Sequence, residues 1–536
     1  MKRLLSSRLW QQETLKFWDY AVLILLGFFL FMFGNEQFTL FDNSEPHYAR
    51  VAQELVQTSD KLTLSFNGAP WYVHPPLYFW MTWASTSLLG WADWVLRIWE
   101  GLFGILGLLV VYQMGTTFFN RRTGLVAAVI LGSSLYYMVL SRLAIFDTIL
   151  NTFMLFSIYA FLVGVYRHEA RGRWFAFAGI GMGLAILTKG PIGLIQPGVP
   201  ALIFLAITGQ LKVLKDWRFW GAIGMGLAIG APWYAYECIT EGWPFFEVAL
   251  KDYTWYRFFG AVEGQRGAWY FYFPVLLGFF PWIMYLPSTV LQALRQKIWR
   301  PYTAHDAVML FSWIFILFSF LFFSLAQTKL PNYIIGIFPF LSLMIAHTLL
   351  HVHEKPLLGW TSIIFPVSMS AAFVASTLII LPAPYHGAQP IVVGLFAILS
   401  LGGWFYAAAF LRHRLSAIGV GVTTMVVVAF YLTHVVLPAY EPFKEPITLI
   451  HAIQDTGRPY VLVAVNAFSP SMKFYLNRSI PDVASVAEGL KLVREAQPGE
   501  ARLLVLNRSE LQALEHQTTH VRIISQTWTK IVVEVE

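Results

Sequence analysis

The side chains in this sequence that could do chemistry lie near the ends of its apolar runs. Asp42, Glu45 and Asp147 are carboxylates that can take a proton from a hydroxyl group. Lys189 and Lys329 are cations that can hold a phosphate. Burying an ionisable group at membrane depth costs free energy, so such a group usually marks a functional site. These residue types predict a site that holds a phosphate and accepts a proton from a hydroxyl.

The composition indicates what scaffold presents these groups. The chain has 536 residues, of which 57% are hydrophobic and 12% are charged, and its mean hydropathy is +0.58. Apolar runs of about 20 residues, the length of helix that crosses a bilayer, recur along most of the chain. The runs do not alternate, which favours helices over a barrel. The sequence therefore predicts a polytopic α-helical membrane protein.

Charge and cysteine content exclude several other classes. The net charge of +7 does not indicate nucleic acid, because the basic residues form short clusters between the spans. The single cysteine, Cys238, excludes an intramolecular disulfide and a cysteine metal cage. The basic N-terminal segment precedes a long apolar run without a small-residue cleavage site, so it predicts a retained first helix and a cytoplasmic N-terminus.

Basic clusters between the runs fix the expected topology. They lie at residues 120–122, 167–173, 212–218, 295–300, 351–355 and 412–414. If all face the cytoplasm, two spans separate each neighbouring pair, which gives about thirteen transmembrane helices. The predicted spans are residues 17–34, 97–118, 123–142, 146–166, 173–188, 191–208, 219–237, 269–290, 307–325, 331–350, 357–381, 388–411 and 415–437. Residues 75–89 then lie on the outer interface without crossing.

The composition changes after Pro438. Residues 441–536 are polar, with strand-like runs at 460–465, 503–506, 521–525 and 531–535 and helix-like stretches at 469–476 and 485–496. We predict a transmembrane domain at 1–440 and a small extracytoplasmic α/β domain at 441–536. The outer loop of the transmembrane domain, residues 38–96, is expected to carry juxtamembrane helices, because apolar residues recur at helical spacing after Glu45.

This topology gathers the reactive groups on the outer face of the membrane. His74, Arg266 and Tyr333 lie there together with the carboxylates and lysines named above. Aromatic residues such as Trp71 and Tyr72 offer faces for a sugar or a prenyl chain. Because nucleotide sugars stay in the cytoplasm, an outward-facing site favours a lipid-linked donor.

Six segments of the sequence, in order over about residues 40–350, carry a family resemblance. They are SEPHYARVAQEL with FNGAPWYVHPPLYFW, SRLAIFDTILNTF, GLAILTKGPIGLIQPG, APWY, GFFPW and FFSLAQTKLPNYIIGIFP. In these segments the chain resembles the polyprenyl- and dolichyl-phosphate-dependent glycosyltransferases of the protein O-mannosyltransferase and aminoarabinose transferase type. Those enzymes have the GT-C fold and are grouped with glycosyltransferase family 39.

The resemblance implies a glycosyltransferase of the bacterial inner membrane, with its active site and C-terminal domain outside the cytoplasm. It would move a hexose or pentose from a polyprenyl-phosphate carrier to an extracytoplasmic lipid, glycan or protein, with membrane lipids around it and no nucleic acid. Glu45 or Asp42 would be catalytic, with Asp147 beside it, and Ser44 stands where the family has an aspartate. Substrate contacts would come from His74, Lys189, Arg266, Lys329 and Tyr333. No metal ligands are assigned, and a requirement for a divalent cation stays open.

Other interpretations stay open from the sequence. Asp42 and Glu45 are also suited to stabilise the N-terminus of the helix that follows them. A transporter or flippase of a lipid-linked or small polar substrate would also have many spans and outer charges, but it predicts charges near the midplane and inverted repeats. A non-catalytic partner in envelope assembly is the third alternative, and it depends on the serine at position 44.

Overall fold

Long apolar helices make up most of the chain. The computed structural model describes residues 2–41, 44–167, 170–260, 267–296, 303–351, 355–379, 385–518 and 520–535. Contacts between residues divide the chain into two compact units. The helical unit comprises Met1–Asn35, Tyr72–Tyr78 and Arg97–Leu432, and the mixed unit comprises Glu36–Trp71, Phe79–Leu96 and Thr433–Glu536. Most of the loop at 38–96, which the sequence analysis assigns to the transmembrane domain, is thus grouped with the C-terminal residues. The boundary at 440/441 stays a prediction.

The α-helices are numbered in chain order. They are α1 Lys2–Phe31, α2 Ser44–Gln57, α3 Leu77–Leu89, α4 Asp93–Phe118, α5 Arg121–Gly132, α6 Leu135–Leu140, α7 Asp147–Tyr166, α8 Arg171–Lys189, α9 Ile192–Ile207, α10 Trp217–Thr240, α11 Trp243–Phe245, α12 Arg257–Phe259, α13 Tyr272–Val275, α14 Leu286–Gln296, α15 Ala304–Leu325, α16 Phe338–His351, α17 Lys355–Leu378, α18 Gln389–Arg412, α19 Arg414–Tyr431, α20 Leu437–Tyr440, α21 Glu445–Gln454, α22 Pro470–Tyr475, α23 Val486–Val493 and α24 Leu511–Glu515. A π-helical segment, Phe246–Tyr256, follows α11, and a 3₁₀ segment, Pro331–Ile337, precedes α16.

Within the described residues, seven helices are long and apolar enough to cross a membrane, or eight if a bent pair counts as one span. They confirm a polytopic α-helical membrane protein, while the total of about thirteen spans stays a prediction. Helix α3 has 13 residues, so it is about 20 Å long. This is shorter than the hydrocarbon core, as expected for a segment that does not cross.

Two predicted spans are not continuous helices. The run at 123–142 is broken at Ser133 and Ser134 between α5 and α6. The run at 269–290 bends by 105° between Tyr272–Phe279 and Trp282–Gln296, next to Pro281, which has no N–H to continue a helix. Polar groups at the two breaks form hydrogen bonds with each other. The Leu135 N–H donates to the Phe280 carbonyl at 2.9 Å, and the Trp282 indole donates to the Ser133 hydroxyl at 3.0 Å.

The mixed unit contains a five-stranded sheet. A short hairpin, β1 Ser65–Phe66 with β2 Ala69–Pro70, comes first in the chain, and it turns through Asn67 and Gly68. The sheet strands are β3 Tyr460–Val465, β4 Asp482–Val483, β5 Ala501–Asn507, β6 Val521–Gln526 and β7 Lys530–Val535, in the order β4-β3-β5-β7-β6. Strand β3 is parallel to β4 and β5, whereas β7 is antiparallel to β5 and β6.

Both faces of this sheet are covered. Leu462 and Ala464 of β3 pack in one apolar cluster with Leu449 of α21, and Val463 and Val465 pack in a second with Leu490 of α23. Successive strand residues point to opposite faces. A strand covered on both sides therefore has a continuous apolar sequence. This is why β3, β5 and β7 could be located from the sequence. The more exposed edge strand β6 was also located, whereas the two-residue β4 was not.

Candidate active site

Helices α7 and α8 bring Asp147 next to Lys189. Helix α7 starts at Asp147 and has 20 residues, and α8 runs back along it for 19 residues and ends at Lys189. Their packing is close, because the Ser157 hydroxyl of α7 donates to the Ala178 carbonyl of α8 at 2.8 Å. The Lys189 Nζ lies 2.5 Å from the Asp147 Oδ1. Two residues 42 positions apart thus form an ion pair at one end of the helix pair.

The ends of both helices suit these charges. Asp147 lies in the first turn of α7, and Lys189 lies in the last turn of α8. A helix dipole favours a negative side chain at its N-terminus and a positive one at its C-terminus. Helix α8 ends there because Gly190 adopts a φ of +81°, a left-handed conformation that favours glycine. The local sequence therefore holds both members of the pair at helix ends.

Helix α10 supports α8 from another side. A Cβ atom at Gly179 of α8 would collide with the Ala222 carbonyl oxygen of α10. At the ion-paired end, a Cβ atom at Gly190 would lie 2.6 Å from the hydroxyl oxygen of Tyr234. Small residues allow helix backbones to approach closely in membranes. Helix α8 is consequently held by close packing against α10 as well as by the ion pair at its end.

Asn332 provides the second partner of Asp147. Its Nδ2 donates to the Asp147 Oδ2 at 2.6 Å, so both carboxylate oxygens accept a hydrogen bond. The Asp147 residue is only 4% exposed. An ionised carboxylate accepts hydrogen bonds only, and donors on both oxygens hold it in one orientation.

Aromatic rings enclose the lysine. The Lys189 Nζ lies 5.1 Å from the centre of the Phe146 ring and 5.5 Å from the centre of the Tyr333 ring. Ammonium groups are attracted to ring faces at such distances. The amine therefore has a carboxylate and two rings around it.

The Asp147–Lys189–Asn332 cluster lines a cavity of about 340 Å³ within the helical unit. Its walls are mostly apolar and aromatic, with few polar groups. Cavities of this kind and size are typical of small-molecule sites. Farther along the wall, the Ser319 hydroxyl donates to the Gln196 Oε1 at 2.7 Å. The Gln196 Nε2 is buried and has no hydrogen-bond partner among the described residues.

Arg257 brings a second cation to the cavity wall. Its Nη1 donates to the Tyr333 hydroxyl at 3.3 Å, and its guanidinium carbon lies 4.7 Å from the centre of the Tyr253 ring. Unlike Lys189, Arg257 pairs with no carboxylate in the described part of the chain. An arginine stacked on a tyrosine and not neutralised by an acid is suited to bind a phosphate.

His74 and Tyr72 line the cavity from the segment before α3. The His74 ring packs edge-on against Phe146 at 4.8 Å between centres. The Tyr72 hydroxyl donates to the Glu241 Oε2 at 2.7 Å. Burial raises the pKa of Tyr72, and the Glu241 carboxylate raises it further, so this phenol stays protonated at neutral pH.

The other predicted site residues have different positions. Lys329 is buried, and its amine donates to the carbonyls of Ser324, at 2.9 Å, and of Ala326 at the end of α15. Burial lowers the pKa of Lys329. Glu45 belongs to the mixed unit, where its Oε2 accepts the Phe41 N–H at 2.8 Å. Asp42 and Arg266 lie outside the described residues.

The described residues contain no group of three or more His, Cys, Asp or Glu side chains that could hold a metal ion. The donors on both oxygens of Asp147 are nitrogen atoms of Lys189 and Asn332. The geometry of this cluster is therefore that of an ion pair.

Three residues of this site were not singled out from the sequence. Arg257 lies in the aromatic stretch WYRFF, which is typical of membrane-interface packing. Asn332 lies inside the motif QTKLPNY, between two residues that were selected. Gln196 is a polar residue in an apolar run, and this is the signal that could have drawn attention to it.

A bundle of apolar helices around such a cavity defines the class of protein. The chain has the GT-C fold. The ArnT of Cupriavidus metallidurans bound to undecaprenyl phosphate superposes with a TM-score of 0.81 at 20% identity, over 96% of this chain and 97% of that protein. The same protein in the apo state superposes with a TM-score of 0.80.

Sequence comparisons identify the relatives. The family model for dolichyl-phosphate-mannose-protein mannosyltransferase matches residues 73–236. The undecaprenyl phosphate-alpha-4-amino-4-deoxy-L-arabinose arabinosyl transferase of Yersinia enterocolitica serotype O:8 is 27% identical over 342 residues, or 61% of this chain. The corresponding transferase of Yersinia pestis strain Pestoides F is 26% identical over the same length. The chain spans 58% of the length of these curated relatives. These matches confirm that the chain resembles the polyprenyl-phosphate-dependent glycosyltransferases.

Proposed function

We propose that this chain is an integral membrane glycosyltransferase that takes a sugar from a polyprenyl-phosphate carrier and passes it to an extracytoplasmic acceptor. The observation that carries the proposal is the cavity wall itself. It holds a fixed carboxylate, Asp147, and an arginine, Arg257, that has no carboxylate partner among the described residues. A transferase that uses a phosphate leaving group needs a group of each kind.

In this reaction an acceptor oxygen attacks the anomeric carbon of the sugar. The bond from that carbon to the phosphate oxygen breaks, and the carrier phosphate leaves with the electron pair. The acceptor proton passes to a carboxylate. Cationic and hydroxyl donors that are already in position stabilise the charge that grows on the phosphate.

Arg257 and Tyr333 are proposed to bind the phosphate. Their 3.3 Å contact brings a guanidinium fork and a phenol hydroxyl together, and an arginine fork can donate two parallel hydrogen bonds to one phosphate. His74 lines the same cavity and is proposed to donate to the phosphate when it is protonated. Arg266 is kept as a further proposed contact from the sequence.

The two predicted site lysines, Lys189 and Lys329, are proposed to have different roles. Lys189 is neutralised by Asp147, so it is proposed to position that carboxylate and to contact substrate only secondarily. Lys329, which the sequence analysis assigns to the phosphate, donates to helix carbonyls. A substrate phosphate would have to compete with those carbonyls, and the lowered pKa of its amine reduces its charge at high pH.

Three carboxylates stay proposed as the group that activates the acceptor: Asp147, Glu45 and Asp42. Asp147 has the strongest support, because it lines the cavity and is fixed by donors on both oxygens. The backbone hydrogen bond from Phe41 to Glu45 also supports a structural role for Glu45 at the start of α2.

The sugar is proposed to lie near Gln196, whose amide hydrogens have no partner among the described residues and suit a sugar hydroxyl. The relatives transfer an aminoarabinose by name, and a pentose is accordingly the first donor class to try, with hexoses next. The proposed location is the bacterial inner membrane. The N-terminus would lie in the cytoplasm, and the cavity and residues 441–536 outside it.

A donor-turnover assay tests this function. The purified protein in detergent would receive polyprenyl-phosphate pentoses and hexoses with an envelope extract, and release of free polyprenyl phosphate would be followed by mass spectrometry. We expect release from the wild type, its loss in Asp147→Asn, and unchanged release in the matched control Asp455→Asn, an exposed aspartate. A folded wild type that releases carrier from no donor would contradict the proposal.

A further inference from the structure

A second concave surface lies at the other ends of α7 and α8. Its polar part is a cavity of about 670 Å³ lined by Lys16, Gln113, Tyr159, Arg167 and Trp174, among others. Arg167 follows the last residue of α7, which starts at Asp147 and has 20 residues. At 1.5 Å per residue this end is about 30 Å from Asp147, the thickness of the hydrocarbon core. The cavity is therefore separate from the candidate active site.

An apolar trough continues from this cavity. The trough, of about 330 Å³, is lined by residues of α4, α7 and α8 and shares Gln113, Phe156 and Tyr159 with the polar cavity. Along α4 its lining extends from Phe103 to Gln113, or about 15 Å. This is about half of the hydrocarbon core, so the trough has the depth of one leaflet.

The polar cavity carries two cations that no described acidic side chain compensates. Lys16 and Arg167 are both exposed, and neither forms an ion pair in the described part of the chain. Asp19, three residues after Lys16, is occupied, because it binds Arg121 at 2.6 Å. The Thr117 and Tyr159 hydroxyls lie 3.1 Å apart beside these cations. A ligand here must complement two cations and two hydroxyls.

We infer that this cavity and trough bind an anionic glycerophospholipid of the surrounding bilayer. The phosphate and head group would lie against Lys16 and Arg167, which attract anionic lipid. Trp174 and Tyr159 would lie at the level of the head groups, where such residues are enriched. One acyl chain would fill the trough, whose lining is apolar apart from Gln113, Tyr159 and Thr152, and the Thr152 hydroxyl is bonded to the Phe103 carbonyl. This site is independent of the proposed transfer reaction.

Lipid binding to the purified protein tests the inference. The full-length protein would be delipidated in detergent and titrated with phosphatidylglycerol, and bound lipid would be counted by native mass spectrometry. In Lys16→Gln/Arg167→Gln we expect affinity to fall about tenfold or more, since each basic group contributes strongly to anionic lipid binding. The control Lys212→Gln/Lys215→Gln removes the same charge from two exposed lysines that do not line the cavity and should leave affinity within about twofold.

A trough variant provides a second and independent measurement. Leu106 lines the trough and is 44% exposed, so Leu106→Trp should fill it without disturbing the core and displace the acyl chain. Leu102, one turn earlier on α4 and 37% exposed, does not line the trough. Leu102→Trp is therefore the matched control, and we expect it to bind lipid as the wild type does.

The identity of the lipid decides between possible occupants. We expect phosphatidylglycerol to bind about tenfold more tightly than zwitterionic phosphatidylcholine. Equal binding of the two lipids, or equal binding to the charge variant and its control, would overturn the inference. Preferential binding of polyprenyl phosphate over phosphatidylglycerol would overturn it as well, because the occupant would then be the carrier.

Discussion

Asp147 and Glu45 are acidic residues at the starts of two different helices, and their surroundings differ. Each lies in the first turn of its helix and is buried. Asp147 accepts hydrogen bonds from Lys189 and Asn332, which are 42 and 185 positions away. Glu45 accepts a backbone N–H from Phe41, four positions away. Asp147 also lines the cavity of the helical unit.

We propose that this difference separates a functional carboxylate, Asp147, from one that stabilises a helix end, Glu45. An acidic residue in a first turn is favourable wherever it occurs, because of the helix dipole. Contacts with a charged residue of another helix and with an amide of a third segment form only in the tertiary fold. They are not needed to stabilise a helix end. The source of the partners is therefore more informative than the position in the helix.

The largest effect is expected for Asp147→Asn. If Asp147 activates the acceptor, donor turnover should fall about a hundredfold or more. The substitution also leaves the Lys189 amine without its anion, so the free energy of unfolding should fall by about 3 kcal/mol. Carrier release and thermal unfolding in detergent measure the two effects separately.

The double variant Asp147→Asn/Lys189→Met separates catalysis from folding. Removing the unpaired amine should restore most of the stability lost in Asp147→Asn, because no buried charge then lacks a partner. Turnover should stay low. Recovery of turnover together with stability would assign Asp147 a purely structural role, and the contrast with Glu45 would then fail.

Arg257→Lys is the next strongest test. The lysine keeps the charge but loses the guanidinium fork and its stacking on Tyr253, so we expect the KM for the donor to rise about tenfold to a hundredfold. Arg458→Lys, at an exposed ion pair with Glu534 in the mixed unit, is the control and should change nothing. An unchanged KM in Arg257→Lys would remove this residue from the phosphate site.

Gly190→Ala examines how the end of α8 is held. The backbone has a φ of +81°, and an added Cβ would lie 2.6 Å from the Tyr234 hydroxyl oxygen. We expect the free energy of unfolding to fall by about 1–3 kcal/mol. Gly198, inside α9, has its nearest neighbouring atom 3.9 Å from such a Cβ, so Gly198→Ala should be neutral or slightly stabilising. Equal effects at both positions would contradict this account.

The smallest effect is expected for Glu45→Gln. The glutamine oxygen can still accept the Phe41 N–H, and the loss of the favourable charge at the start of α2 costs about 0.5 kcal/mol. Turnover should change by less than about threefold. A hundredfold loss of turnover with normal stability would make Glu45 a catalytic residue and reverse its contrast with Asp147.

Much of the architecture could be predicted because it depends on local sequence. The apolar runs located α7 and α8 closely, and the strand-like runs located β3, β5, β6 and β7. The breaks at Ser133 and Pro281 were missed, because hydropathy averaged over a span does not respond to one or two polar or imino residues. Their contact, Leu135 N–H to Phe280 carbonyl, joins segments far apart in the sequence, so no local pattern encodes it.

The candidate site could be predicted only in part for the same reason. Asp147, Lys189, Tyr333 and His74 were selected by type and predicted topology, and the structure brings these four together around one cavity. Nothing in their spacing indicated that Asp147 and Lys189 neutralise each other, which changes which cation is available to a phosphate. Lys329 was selected by the same criteria, but its long side chain turns back to the carbonyls of α15.

The paired lengths of α7 and α8 make the site sensitive to register. Asp147 and Lys189 meet because 20 residues lead away from the cavity and 19 lead back. One residue inserted into either helix would turn its cavity end by about 100° and shift it by about 1.5 Å. The lengths of the two helices therefore determine the distance between the two charges. Point substitutions on its lipid-facing side should be tolerated, whereas a single insertion or deletion inside either helix should separate the charges completely.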